Sequence, residues 1–192
     1  MAWQPATDAM ERVLARMPAR PLGERSGPIE GVMIKTLRVL ADSRGFFVEQ
    51  LKRGDTDDAG RPFIPEQPFA QMSRSLAYAR GGNPPELIKA FHWHQRQWDY
   101  WDFVQGSVRV VLVDLREGSP SEGRVQVVIA GDRVPKVIAI PPLVAHGYQV
   151  LGLTDAVLTY YVTQPYDPLD PDEGRISWQD PRIGFDWSVE NI

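Results

Sequence analysis

The 192-residue sequence predicts an all-β fold, a sandwich or small barrel, with a helix before it and an irregular tail after it. Three observations carry this reading. From Gly31 onward apolar residues recur at period two in short runs, the spacing of half-buried strands. Turn-forming clusters separate the runs, among them Gly81-Gly82-Asn83-Pro84-Pro85, Glu117-Gly118-Ser119-Pro120 and Gly131-Asp132. Before Gly31 the period is different: Met10, Val13, Leu14 and Met17 fall at i, i+3, i+4 and i+7. The organisation that follows is a helix and linker over 1–30 and one β domain over 31–192.

Taken in order, Asp8 followed by Glu11 is a capping-box pattern that predicts a helix of about ten residues ending at Pro18. A helix this short needs a surface to pack on, either the β domain or a second subunit. Residues Pro18 to Pro28, rich in Pro, Gly and Arg, predict a linker. Strand segments follow at Val32 to Val39, Phe46 to Leu51, Phe69 to Tyr78, Leu87 to Trp93, Trp101 to Leu115, Val125 to Ala130, Lys136 to Ile140, Gly147 to Leu151 and Ala156 to Thr163. Pro165, Pro168, Pro171 and Pro181 make the tail irregular, with one short strand expected around Arg175 to Trp178.

Composition narrows the function. A net charge of −4 and a pI near 5.4 supply no basic footprint for nucleic acid. No cysteine is present, so neither disulfides nor a thiol nucleophile is available. Asp8, Glu11, Arg12 and Arg16 interrupt the N-terminal apolar positions, which argues against a signal peptide, and no stretch is long enough to span a membrane. A cytoplasmic soluble protein is expected.

The three histidines of the chain are His92, His94 and His146. Two histidines at i and i+2 of an extended segment share one face of a sheet, and a nearby carboxylate, Asp99, completes a nitrogen and oxygen donor set. The spacing predicts a divalent metal held by His92, His94, Asp99 and His146. The plain alternative is a set of polar residues lining a cavity or hydrogen-bonded in a core. Trp93, Trp98 and Trp101 are expected in the core or a dimer interface, and Asp114 with Arg116 as a structural ion pair. Asp55, Asp57 and Asp58 read as a solvated loop, and Gly147 as relief of crowding beside His146. Tyr160 and Tyr161 alternate across a sheet, so one of them faces the interior.

The run from His92 through Asp99 to Gly106, with Pro141 to His146 after it, resembles the two motifs of the cupin superfamily, with Asp99 in place of the usual Glu and Leu143 in place of the usual Gly. A closer resemblance extends from Val32 to Trp187. Asp42 to Glu49, Lys89 to Trp93, Val113 to Pro120, Ile140 to Pro142 with Ala145 to Tyr148, and Gly174 to Ile176 with Trp178 to Pro181 are similar, in sequence and order, to the dTDP-4-dehydrorhamnose 3,5-epimerase family. The resemblance implies a cupin jelly-roll barrel, commonly a homodimer formed by strand exchange, around a site for a nucleotide-linked 4-keto-6-deoxyhexose. It implies His92 as the base, Tyr160 as the acid with Tyr161 its rival, and Arg44, Glu49, Gln71 and Lys89 as substrate-binding residues.

The chain also departs from that pattern. Asp99 stands near the family's enolate-steadying lysine, and Lys89 replaces an arginine. The family carboxylate that orients the histidine lies beyond the equivalent of Trp187, where this chain offers Glu190. Three readings follow: an epimerase or isomerase acting by proton abstraction next to a ketone, a metal-dependent oxidoreductase or lyase, and a sugar-binding cupin without catalysis. A metal bound by His92 would prevent that residue from acting as the base.

Overall fold

Strand formation follows the period-two segments closely. The computed structural model describes residues 3–64, 69–79 and 87–188; the Gly81 to Pro85 turn signal and Glu190 lie outside them. In chain order the elements are α1 (Trp3–Arg16), a 3-10 turn (Met17–Ala19), α2 (Leu22–Arg25), β1 (Met33–Thr36), β2 (Val39–Asp42), β3 (Gly45–Val48), β4 (Gln71–Ala77), β5 (Ile88–Trp93) and β6 (Asp99–Gln105), continuing with β7 (Ser107–Asp114), β8 (Val125–Gly131), β9 (Lys136–Ile140), β10 (Val144–Leu151), β11 (Ala156–Val162) and β12 (Gly174–Arg175).

The strands form two five-stranded antiparallel sheets, ordered β1-β9-β6-β11-β4 and β12-β5-β10-β7-β8, and a separate hairpin, β2-β3. Apart from β7 and β8, neighbours in each sheet are not consecutive in sequence, which is the jelly-roll arrangement. Apolar residues from both inner faces make the main core: Trp101, Phe103, Ile138 and Leu158 from the first sheet meet Val110, Leu112, Val128 and Tyr148 from the second.

Helix α1 docks on its own barrel. Met10, Val13, Leu14 and Met17 are buried against Phe91, Val111, Val113, Ala145 and Trp187 on the outer face of the second sheet. The apolar spacing is as read from sequence, but the helix starts at Trp3, ahead of Asp8, so the capping box does not open it. Pro5 is accommodated because the first turn needs no N–H from that residue. The 18–28 segment is more ordered than a linker: Arg25 is buried and donates to the carbonyls of Arg20 and Ile183.

Two further departures have clear causes. The long Trp101 to Leu115 run is two strands, broken at Gly106, whose φ is +78° and where a Cβ would stand 2.7 Å from the Asp155 carbonyl oxygen. Residues 55–58 form an anchored turn rather than a solvated loop. Asp55 pairs with Lys35, Asp57 accepts from the backbone of Ala59 and Arg61, and Asp58 accepts from Thr36. Asp114 is fully buried and accepts from Arg116, Ser119 and Ser121, the structural role expected of it.

The outer face of the first sheet is covered by Leu37 and Phe63 packed on Tyr100, Val137 and Ala139. On that same face, next but one along β6, Asp102 is buried, and burial raises its carboxyl pKa to about 6, with a hydrogen bond from Gln50 acting the other way. Below pH 4 the carboxyl is protonated folded or unfolded and no penalty exists. As pH rises towards 6 the unfolded chain ionises first, so stability is lost through that window and stays lost above it. Asp102→Asn is therefore expected to stabilise the protein at pH 7, by on the order of 2 kcal/mol, and to have little effect at pH 4. Denaturant titrations at the two pH values check this; equal shifts at both would contradict it.

Candidate active site

A cavity of about 250 Å3 opens between the two sheets, lined by residues on strands and their flanks and by Pro165, Tyr166, Asp172 and Glu173 of the tail, with Gln71, Lys89, His92, His94, Asp99, His146 and Tyr160 all on its wall.

 

Each wall of the cavity has its own supply of side chains. From the first sheet, alternation along β6 turns Asp99 and Trp101 inward and Tyr100 and Asp102 outward, and along β11 it turns Tyr160 inward. Tyr161 points the other way, packs on Phe69 and donates to Gln50, which decides between the two tyrosines. From the second sheet come Lys89, His92, His146 and Tyr148. Lys89 and His92 are three apart, so simple alternation would place them on opposite faces. The β5-β10 pairing is irregular here: His146 lies opposite His92, whereas Tyr148 lies opposite Lys89. Three steps on β5 are matched to two on β10, and this bulge brings both residues to the cavity.

Gly147 makes the close pairing possible, since a Cβ there would lie 2.2 Å from the Ala90 Cβ. Just before β10, Leu143 adopts φ +60°, the left-handed conformation that suits the Gly of the cupin motif it resembles, at a cost of about 1 to 2 kcal/mol. Its N–H donates to the His94 carbonyl at 2.7 Å, tying the two histidine segments together.

The histidines divide into two groups. His94, Asp99 and His146 converge, their potential ligand atoms all within 4.8 Å of one another. His92 is outside this trio. Its Nδ1 faces Glu173 Oε1 at 3.6 Å, and its side chain is 43% exposed against 12% for His94 and 3% for His146. Of the four residues that the spacing predicts as a metal set, three converge, and His92 stands apart because Glu173, just before β12, offers it a carboxylate of its own. Burial lowers the His92 pKa, opposed by Glu173, and lowers that of His146 to about 4, so both imidazoles are neutral near pH 7. Trp101 stacks edge-on against His146, with ring centroids 5.0 Å apart, and donates to Asp99.

The family model for dTDP-4-dehydrorhamnose 3,5-epimerase matches residues 26–192. The spore coat polysaccharide biosynthesis protein SpsL of Bacillus subtilis is 43% identical over 162 residues, 84% of this chain and 98% of that protein. The chain belongs to the dTDP-4-dehydrorhamnose 3,5-epimerase family. Among solved structures, NovW, a 4-keto-6-deoxy sugar epimerase from the novobiocin cluster of Streptomyces spheroides, matches with TM-score 0.70 and 30% identity over 89% of this chain and 79% of that one. RmlC from Legionella pneumophila, solved with dTDP-4-keto-L-rhamnose, matches with TM-score 0.69 and 27% identity over 84% and 81%.

Not every residue suggested by the family resemblance reaches the cavity of its own chain. Gln71 and Lys89 do. Arg44 and Glu49 do not: they lie on and beside the β2-β3 hairpin, where Arg44 pairs with Asp42 and Glu49 with Lys52. Trp93 and Trp98 are core residues, as expected, while Trp101 is on the cavity wall. The sequence reading missed Tyr148, although it sits in the quoted Ala145 to Tyr148 motif, and it missed the tail residues Asp172 and Glu173.

Asp172 is the anchor of that tail. Its carboxylate accepts the backbone N–H groups of Gln95, Arg96 and Gln97, each at 2.9 Å, and its carbonyl accepts His94 Nδ1–H. Hydrogen bonds to a charged acceptor are among the stronger ones, about 1.5 to 3 kcal/mol each, and removing the carboxylate leaves three donors unpaired. Asp172→Ala should lower stability by about 2 kcal/mol or more and speed amide hydrogen exchange at residues 95–97. Unchanged exchange there would show that the carboxylate does not hold this loop.

Proposed function

We propose that the protein is an epimerase acting on a nucleotide-linked 4-keto-6-deoxyhexose, by proton abstraction from carbon next to the ketone. The observation that carries this reading is the placement of His92 and Tyr160 on opposite walls of one cavity, β5 in one sheet and β11 in the other. Inverting a carbon requires a base on one face of the sugar ring and an acid on the other. His92 takes the proton as base, with Glu173 at Nδ1 leaving Nε2 for the substrate. Tyr160 returns a proton to the opposite face. Glu173 is a positioning residue, replacing the family carboxylate that lies further along the chain. Lys89, whose ammonium donates to Ser75 Oγ and the Leu76 carbonyl, is the cation available for the substrate's diphosphate or its ketone. The substrate class is supported by NovW and by the ligand held in the Legionella structure.

Solvent deuterium exchange tests the chemistry. Over a panel of nucleotide-linked 4-keto-6-deoxyhexoses, the protein should incorporate deuterium next to the ketone. His92→Ala should reduce this by roughly 100-fold or more, the scale of general base catalysis. Tyr160→Phe should depress inversion more than exchange, because without the acid the proton returns to the face it left. Glu173→Gln should lower kcat by about tenfold, a part of that same base contribution, with little change in KM. Exchange no faster than in the absence of protein would sink the reading.

A homodimer accompanies it. The β2-β3 hairpin pairs with neither sheet and exposes Phe46 and Phe47 at 73% and 60%, while β4, at the end of its sheet, exposes Met72 and Leu76. An apolar hairpin and an uncovered sheet edge are surfaces that a second copy satisfies by strand addition. In such a dimer the hairpin would carry Arg44 and Glu49 to the partner's cavity, which accounts for their distance from their own. Light scattering should give the mass of two chains, and Phe46→Asp with Phe47→Asp should shift it to one. A mass of 21.7 kDa for the unaltered protein at micromolar concentration would overturn the dimer.

A further inference from the structure

We propose that His94, Asp99 and His146 bind one first-row divalent cation, at a position on the cavity wall separate from the base His92. The argument begins with protons. A carbonyl oxygen only accepts, so His94 Nδ1 donates to the Asp172 carbonyl and His146 Nδ1 donates to the Val144 carbonyl, the latter at 2.9 Å. With Nδ1 acting as the donor, Nε2 is the nitrogen left on each ring to serve as a ligand. Both Nε2 atoms face Asp99, at 3.8 Å from Oδ1 for His94 and 3.6 Å from Oδ2 for His146.

These separations exceed hydrogen-bond length, about 3.2 Å at most for a nitrogen donor. Each Asp99 oxygen already accepts an N–H, from Gln97 Nε2 at 2.6 Å and Trp101 Nε1 at 3.0 Å. The trio is therefore a buried carboxylate and two lone pairs aimed at one another with a gap between them. Such a group is repulsive unless a positive charge sits at its centre. Among the described residues the one Lys or Arg side chain on the cavity wall is Lys89, and it is turned to Ser75 and Leu76.

The gap has the size of a metal. Around a tetrahedral ion with ligands at 2.0 to 2.1 Å, neighbouring ligand atoms stand about 3.4 Å apart. Histidine ligands ordinarily give their second ring N–H to a carbonyl or carboxylate, and ligating carboxylates are themselves hydrogen-bonded. All three residues meet that description. Two imidazoles and one carboxylate suit zinc, iron, cobalt or manganese better than calcium or magnesium, and three protein ligands leave a position open towards the cavity. Its chemical use rests on the epimerase reading: a cation there polarises the ketone and steadies an enolate, which Asp99 alone, standing near the family's lysine position, cannot do.

The test uses the full chain stripped with a chelator, and zinc or cobalt(II) alone as the probe. Calorimetric titration should show one ion per chain, cobalt should develop visible absorption, and either ion should raise Tm. Asp99→Asn and His94→Gln, checked for folding by circular dichroism, should each weaken binding by more than about 100-fold, beyond the cost of losing an outer partner, and abolish the rise in Tm. His92→Asn should leave the affinity unchanged. The proposal is overturned if the stripped protein shows no saturable binding, if both variants retain it, or if His92→Asn removes it. No sugar is present in these titrations, so their failure and a failure of deuterium exchange are separate results.

Discussion

The pairing of β5 with β10 is the constraint on which the site depends. Its bulge lets Lys89 and His92 share a face, and its register sets His146 opposite His92 and Tyr148 opposite Lys89. The strands lie so close that a single methyl on Gly147 would overlap Ala90. On the outside of the same sheet, Phe91 and Ala145 pack beneath α1 and Trp187. The helix thus contributes to function without touching the cavity: it buries the back of the two strands whose fronts carry the chemistry. Bulges are over-represented where a side chain must be re-aimed next to an active site, and this one changes the set of residues that a substrate meets.

A second dependence runs from the tail to the histidines. The segment 172–175 leaves the proline-rich stretch, adds β12 to β5 and supplies two carboxylates in succession. Asp172 fixes the loop after His94 and holds that ring through its own carbonyl; Glu173 stands beside His92. Register explains why consecutive residues serve different histidines, since Gly174 and Arg175 lie opposite Trp93 and His92 as the tail runs antiparallel to β5. Trp93 leaves no room for a side chain at Gly174, where a Cβ would come within 2.0 Å of its ring. The two residues that lead into this short strand therefore stand against both histidines of the His92-Trp93-His94 motif.

Much of this was legible in the sequence, and what was not has a common physical cause. Period-two hydrophobicity marks strands because burial on one face is a local property, so β1, β4, β5 and β8 to β11 are readable to within a few residues, while β6 and β7 read as one run. The clustering of the histidines was readable for the same reason, although β5 ends at Trp93 and His94 lies just past it. Asp102 illustrates the limit. It alternates correctly with Trp101, yet nothing local tells that Leu37 and Phe63 cover its face of the sheet. The bulge at Ala90, the start of α1 at Trp3 and the reach of Glu173 to His92 are likewise settled by contacts between residues far apart in the chain. Proline spacing made the tail look irregular, which it largely is, but irregular backbone can still deliver a carboxylate.

The division of the histidines removes a conflict that spacing alone creates. When all three are counted as ligands, a cation and a histidine base compete for His92, and the chain must be either an epimerase or a metal protein. In the structure His92 has Glu173, and the other two have Asp99. Asp99, which the resemblance sets near the family's lysine, then reads as half of a compensated change rather than a loss. An aspartate beside a forming enolate is unfavourable by itself, but an aspartate with two imidazoles is a donor set for a divalent charge. His94 is the other half, since without it Asp99 and His146 would offer too few ligands to hold an ion against water. The two residues are intelligible together and not singly: Asp99 comes from β6 of the first sheet and His94 from just beyond β5 of the second, and they meet in the cavity between the sheets.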